Sequence, residues 1–194
     1  MPVPRLLLAS SSPRRREILA SLGIPFDVRS ADVDESLRPG ETAPDAAERL
    51  AREKAAVVAA EERGAVVVAA DTIVVVDGEA LGKPRDRTEA AAMLRRLRGR
   101  RHDVVTGVAV AANGALHSGR DTTEVVFAPM TDREIEAYVA TGEPDDKAGA
   151  YAVQGIGALF VERVEGSPSN VVGLPVRLLG SLLDAAGLSW RAGR

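Results

Sequence analysis

Apolar residues along this chain alternate between short unbroken runs and longer stretches with helical spacing, with turn and cap residues between them. The run at residues 5–9 has strand length. Ser10-Ser11-Ser12-Pro13 then supplies capping hydroxyls and a proline suited to a first helical turn, which predicts a helix over 14–22 ended by Gly23. A second strand is expected over 26–29, followed by an acidic loop with Asp32, Asp34 and Glu35. Ala46, Leu50, Ala51, Val57 and Val58 give a helix over 44–62. Two apolar runs follow, 65–70 and 73–76, interrupted by Asp71-Thr72 and closed by the hairpin signal Asp77-Gly78. A helix over 86–97, strands over 104–112 and 116–127 around Asn113-Gly114, and a helix to residue 140 opened by the capping box Thr131/Glu134 come next. Residues 142–157 read as a broken glycine-rich segment, 159–164 as a strand, and the stretch after Pro175 to about 186 as a last helix. The alternation predicts an α/β fold in one domain over 1–188, with 189–194 as a tail.

At 194 residues the chain has room for one core, whole or split into two lobes, and at 3% aromatics that core is built from Ala, Val, Leu and Ile. A net charge of -3 argues against coating nucleic acid or an acidic membrane. Without cysteine there is no disulfide or thiolate chemistry, and His102 and His117 are the sole imidazoles, so a metal would sit on oxygen ligands. The start lacks the long apolar stretch of a secretory signal and no run reaches membrane-spanning length, so the expectation is a cytoplasmic protein without membrane or stable nucleic-acid partners.

Several segments carry candidate chemistry. Ser10-Ser11-Ser12-Pro13 followed by Arg14-Arg15-Arg16 gathers hydroxyls, backbone N–H groups and guanidinium forks suited to a phosphate or carboxylate, although a capped helix with solvated arginines is the alternative. The macrodipole disfavours arginine in a first turn, and an anion would relieve that conflict. Asp71 places a carboxylate where the flanking runs predict a buried sheet, which needs a metal or a partner unless Asp71 ends a strand or sits in a bulge. With the acidic loop it could assemble the oxygen ligands that Mg²⁺ or Mn²⁺ prefers; alone, such a loop is solvated surface. Lys54, Lys83 and Lys147 stand near structural breaks and complement a triphosphate, although lysines are usually exposed. Gln154 can donate and accept, and could read a base edge or simply face water. Arg95, Arg96, Arg98, Arg100 and Arg101 look like a basic helix end.

Taken in order, Ser-x-Ser-Pro-Arg-Arg, Ala-Asp-Thr, Gly-Lys-Pro, Asp-Lys-Ala-Gly-Ala-Tyr, Gln-Gly and Val-Gly-Leu-Pro resemble the Maf family from residue 5 to about 183. The resemblance implies a mixed, elongated twisted sheet flanked by helices in two lobes around a central cleft, related to the inosine triphosphate pyrophosphatases, dimeric and dependent on a divalent cation. It implies a nucleoside triphosphate pyrophosphatase in which Asp71 is the proton acceptor and Glu35 and Asp71 hold the metal, with Lys83 also catalytic. Ser10, Ser12, Arg14, Arg15 and Lys54 would hold the triphosphate, with Asp86 and Lys147 nearby. Arg14, Thr72 and Gln154 match the branch acting on dTTP and UTP; the 7-methyl-GTP branch has Trp, Gln and Glu there. Gly166-Ser167-Pro168-Ser169-Asn170 departs from relatives that carry an aromatic residue shortly before Val-Gly-Leu-Pro. The family name also raises an alternative, a regulator of septum formation acting by binding alone.

Overall fold

The computed structural model describes residues 5–188. The tail expected over 189–194 lies outside the described residues. In chain order the elements are β1 (Leu6–Leu8), α1 (Pro13–Ser21), β2 (Asp27–Val28), α2 (Ala43–Glu61), β3 (Val66–Val76), β4 (Glu79–Leu81), α3 (Arg87–Leu97), β5 (Arg101–Ala112) and β6 (Ala115–Phe127). Then follow α4 (Asp132–Ala140), 3-10 turns at Glu143–Asp146, Ala148–Ala150 and Gly155–Phe160, β7 (Val161–Glu165), α5 (Pro168–Val172) and α6 (Val176–Ala185). Hydrogen bonding orders the strands β2-β1-β3-β5-β6-β7, with β4 on β3. β1 runs parallel to β2 and β3, whereas β3/β4 and β6/β7 are antiparallel, so the sheet is mixed. Positive φ at Asp77-Gly78 and Asn113-Gly114 gives both hairpins the tight turn their sequences predict.

Two compact units share these strands. Among the described residues, the first comprises 5–71, 106–121 and 173–188. The strand pleat sorts its side chains onto two faces. Leu6, Leu8, Val66, Val68, Val108 and Val110 pack with Leu19 of α1 and Leu179, Leu182 and Leu183 of α6. Leu7, Ala9, Val67, Ala69, Ala109 and Ala111 face Ala51, Ala55 and Val58 of α2. These small residues let α2 lie close to the sheet, and at Gly107 a Cβ would stand 2.2 Å from the Ala47 carbonyl oxygen.

The second unit comprises residues 72–105 and 122–172. Ala90, Met93, Leu94 and Leu97 of α3 and Ile135, Tyr138 and Val139 of α4 bury their apolar faces with Val74, Val76, Val104, Val125 and Phe127 of the strands. The capping box forms as read, with Thr131 and Glu134 exchanging side-chain to backbone hydrogen bonds.

Three local expectations differ from the outcome. Asp71 does not break the apolar run; it lies inside one continuous strand, because its carboxylate finds a buried cation. Val57, read as part of the inward stripe of its helix, is 38% exposed, and Lys54 is turned inward. Residues 168–172, read as turns, form the short helix α5, anchored by the wholly buried Asn170 donating from Nδ2 to the Val104 carbonyl at 2.8 Å and to Thr123 Oγ1 at 2.9 Å.

Candidate active site

The first unit assembles most of the residues singled out above, for reasons that follow from strand pairing and helix periodicity. β1 pairs in parallel with β3 through Leu8 and Val68, and the Ala9 N–H donates to the Val68 carbonyl at 2.8 Å. The chain therefore leaves the sheet at Ser10, at the carboxyl end of a parallel strand, where α/β sheets form their ligand crevices. Ser12 caps α1 and Pro13 opens it. The buried Ser10 hydroxyl oxygen accepts the Ser12 N–H at 3.2 Å and Arg15 Nη1 at 3.2 Å. Arg15 Nε donates to the Gly173 carbonyl at 2.8 Å, which turns this guanidinium inward and ties the loop before Pro175 to α1.

Asp71 lies on the same pleat face of β3 as Val67 and Ala69, which face α2. On α2 the buried positions Ala43, Ala47, Leu50, Ala51, Lys54, Ala55 and Val58 form one stripe at helical spacing, so Lys54 is a cation on an otherwise apolar face. The two meet: Lys54 Nζ donates to Asp71 Oδ1 at 2.6 Å and to Glu35 Oε1 at 2.5 Å. Lys54 and Asp71 are 7% and 8% exposed, whereas the Glu35 side chain is half exposed, so the trio runs from the core to solvent. Burial lowers the Arg15 pKa; the Asp71 and Glu35 carboxylates oppose that shift and neighbouring Arg14 adds to it. Two carboxylates thus face two inward cations, with Arg14 beside them in the first turn of α1.

The loop carrying Glu35 is itself anchored. Arg49 donates to both oxygens of Glu41, at 2.6 Å and 2.9 Å, to the Ser36 carbonyl at 3.0 Å and to Glu53 at 3.0 Å. The bidentate contact from Arg49, aided by the Arg38 N–H, holds the Glu41 carboxyl down at about 2. Glu35 and Asp71 reach the same ammonium, so their hard oxygen donors converge. Among the described residues no group of three or more His, Asp and Glu side chains gathers as a metal cage. One or two carboxylates is the donor set that an ion of the Mg²⁺ type takes from a protein, the rest of its shell being water and phosphate.

The remaining predicted residues belong to the second unit. Thr72 is half-buried in β3, Lys83 is exposed in the loop between β4 and α3, and Gln154 is exposed at the start of the 3-10 turn Gly155–Phe160. Asp86 caps α3 by accepting the Glu89 N–H at 2.8 Å, a structural role. Lys147 Nζ donates to the Glu143 carbonyl at 2.6 Å and to Asp146 at 2.7 Å, which fixes the Asp-Lys-Ala-Gly-Ala-Tyr segment. The basic helix end is internally balanced: Arg95 and Arg98 pair with Asp132, Arg96 with Glu79, Arg100 with Asp77 and Arg101 with Glu124. Reading the sequence missed Glu143, and it named His102 and Tyr151 without foreseeing that they form a buried pair, joined Nε2 to hydroxyl at 2.8 Å. Nothing in the sequence around His102 signals burial, since it follows a run of arginines.

The model of the Maf-like protein family matches residues 5–186. Proteins named dTTP/UTP pyrophosphatase are similar throughout: that of Anaeromyxobacter dehalogenans is 56% identical over 96% of this chain and 97% of its own. That of Myxococcus xanthus is 54% identical over 96% of both, and that of Geobacter sulfurreducens 54% identical over 89% of this chain and 91% of its own. Among solved structures, the Staphylococcus aureus Ham1 protein covers 97% of this chain and 92% of its own at a TM-score of 0.50 and 17% identity, a likeness of fold. A match over nearly the whole chain, and relatives above half identity, show that this chain belongs to the Maf-like protein family.

Proposed function

We propose that this protein is a nucleoside triphosphate pyrophosphatase that hydrolyses dTTP and UTP between the α and β phosphates, releasing the monophosphate and pyrophosphate. The observation that carries the reading is the Lys54 ammonium held between Asp71 and Glu35 on an otherwise apolar helix face. A buried acid that is paired with an ammonium and adjacent to phosphate-binding groups is placed to accept a proton from water. The names of relatives at 56% and 54% identity supply the substrate class.

In this reading Asp71 takes the proton of the attacking water as its oxygen bonds to phosphorus, and the bridging P–O bond breaks so that pyrophosphate leaves. Lys54 balances the charge of Asp71 in the ground state and offers its N–H donors to phosphate oxygens. Ser10, Ser12, Arg14 and Arg15 bind the triphosphate tail, through hydroxyls and N–H groups at the α1 N-terminus and through guanidinium forks. Glu35 and Asp71 would hold a Mg²⁺ or Mn²⁺ ion, which when bound neutralises phosphate charge. Lys83 is assigned to the leaving pyrophosphate, and Thr72 and Gln154 to the base, on family resemblance. The same resemblance supports a homodimer acting in the cytoplasm, which sedimentation and cell fractionation would check directly. Among the described residues no helix is long and apolar enough to cross a membrane.

The test is a turnover panel of canonical and modified nucleoside triphosphates with Mg²⁺ or Mn²⁺. Pyrophosphate rather than orthophosphate should appear, fastest from dTTP and UTP. Orthophosphate as the first product, or faster turnover of purine nucleotides, contradicts the reading.

A further inference from the structure

In the second unit, one carboxylate fastens the segment that carries Gln154. Glu143 opens its own 3-10 turn, and its side chain reaches the next one. Oε1 accepts the Tyr138 hydroxyl at 2.8 Å and the Gly157 N–H at 2.9 Å, and Oε2 accepts the Ile156 N–H at 3.0 Å. The Tyr138 oxygen, fully buried on α4, accepts the Ala152 N–H at 3.2 Å. Residues on both sides of Gln154 are therefore held by the same two side chains, while Gln154 itself is exposed.

The glycines around Gln154 are what this arrangement requires. At Gly155, where φ is +80°, a Cβ would lie 2.6 Å from Glu143 Oε2. At Gly157 a Cβ would lie 2.5 Å from the Tyr138 hydroxyl and 2.4 Å from the Ala152 carbonyl. Both approaches are closer than side-chain carbons tolerate, so the backbone nests against the carboxylate and the phenol only because neither residue carries a side chain. Burial alone would raise the Glu143 pKa; the Gly157 and Ile156 N–H groups, the Tyr138 hydroxyl and Lys147 outweigh it and hold the carboxyl below its ordinary value. The group is thus an ionised acceptor of three donors at neutral pH.

We infer that Glu143 and Tyr138 are positioning residues for base selection, fixing the backbone on either side of Gln154 so that its amide meets the base edge in one place. This rests on the reading of Gln154 as the residue facing the base. A side-chain amide pairs with a uracil or thymine edge through two hydrogen bonds only when donor and acceptor are both in line. If the segment is loose, the amide settles for one hydrogen bond with any base, and discrimination falls.

The experiment measures kcat and KM for UTP and CTP with purified Glu143→Gln, Tyr138→Phe, Gln154→Ala and the double variant Glu143→Gln/Gln154→Ala, with melting temperature as a check on folding. The neutral amide of Glu143→Gln offers one oxygen where the carboxylate offers two, and Tyr138→Phe removes the hydroxyl. The UTP over CTP ratio of kcat/KM should fall about tenfold in each single variant, the size of one lost charge-assisted hydrogen bond, and through KM rather than kcat. The double variant should be no less selective than Gln154→Ala, because the clamp acts through Gln154. If Glu143→Gln does not fold, Tyr138→Phe and Gly155→Ala decide in its place. Unchanged selectivity in the folded clamp variants, or additive losses in the double variant, overturns the inference. Unchanged selectivity in Gln154→Ala removes Gln154 as base reader and overturns the clamp with it, whatever Glu143→Gln does.

Discussion

Each unit buries a polar cluster within apolar surroundings, and the two solve the same physical problem in opposite ways. In the first, Lys54, Asp71 and Glu35 bring one ammonium and two carboxylates together as ion pairs. In the second, His102 and Tyr151 share a hydrogen bond inside a cage of edge-on aromatic contacts, with Phe127 4.7 Å from Tyr151 and 5.0 Å from His102 between ring centres. Burial pushes His102 down to about 4 and Tyr151 upward, so both are neutral across the physiological range. His102 Nδ1 has no partner among the described residues, which adds to the penalty for protonating the ring. A pair kept only for packing can shed its charge. A cluster of one ammonium and two carboxylates, with one member reaching solvent, has the chemistry to hold an ionic ligand or pass a proton.

The sharpest way to break this contrast is to remove the cation from the charged cluster. Lys54→Met leaves Asp71 buried without its partner and should destabilise the fold by about 3 kcal/mol or more, read by denaturant unfolding. Adding Asp71→Asn should recover most of that loss without recovering turnover. If Lys54→Met alone is neutral, the trio carries no buried charge and the contrast fails.

The neutral pair predicts a pH effect of similar size and known sign. The unfolded chain protonates His102 near 6.5, whereas the folded chain holds it neutral to about 4. Between those values the unfolded state binds the extra proton, so stability is complete above about pH 6.5. It declines by about 3 kcal/mol as pH falls towards 4. In His102→Phe that part of the pH dependence should vanish; a slope identical to wild type would show that another group carries it. Tyr151→Phe removes the hydroxyl alone and should cost about 1 kcal/mol in chemical denaturation, with turnover of UTP within about twofold. The smallest expected effect is Ser12→Ala, which loses the α1 cap, about 1 kcal/mol or less of stability, together with weaker triphosphate binding seen as a raised KM.

The same contrast explains what could be read from the sequence. Element order and the hairpins at Asp77-Gly78 and Asn113-Gly114 were legible because turn residues and apolar periodicity act locally. Asp71 was visible as an acid amid Val and Ala, but its place inside a continuous strand was not, since that depends on an ammonium 17 residues away in the chain. Lys54 had a readable signature, its i+4 and i-4 neighbours being Val58 and Leu50 on the buried stripe. His102 and Glu143 had none, because burial of one and the backbone hydrogen bonds of the other from Ile156 and Gly157 arise from residues distant in sequence. Lys83, fixed between glycine and proline, and Gln154, able to donate and accept, could be picked out locally, but their roles and the place of Thr72 entered through family resemblance.

If the acid buried in β3 is retained for proton transfer, its loss stops turnover and leaves the fold standing. The direct measurement is steady-state pyrophosphate release from dTTP and UTP by wild type and Asp71→Asn at saturating divalent cation, alongside thermal unfolding of both. The expected result is a fold that still melts cooperatively and a kcat lower by about 1,000-fold, the size expected for loss of a general base. Turnover in folded Asp71→Asn equal to wild type would contradict it.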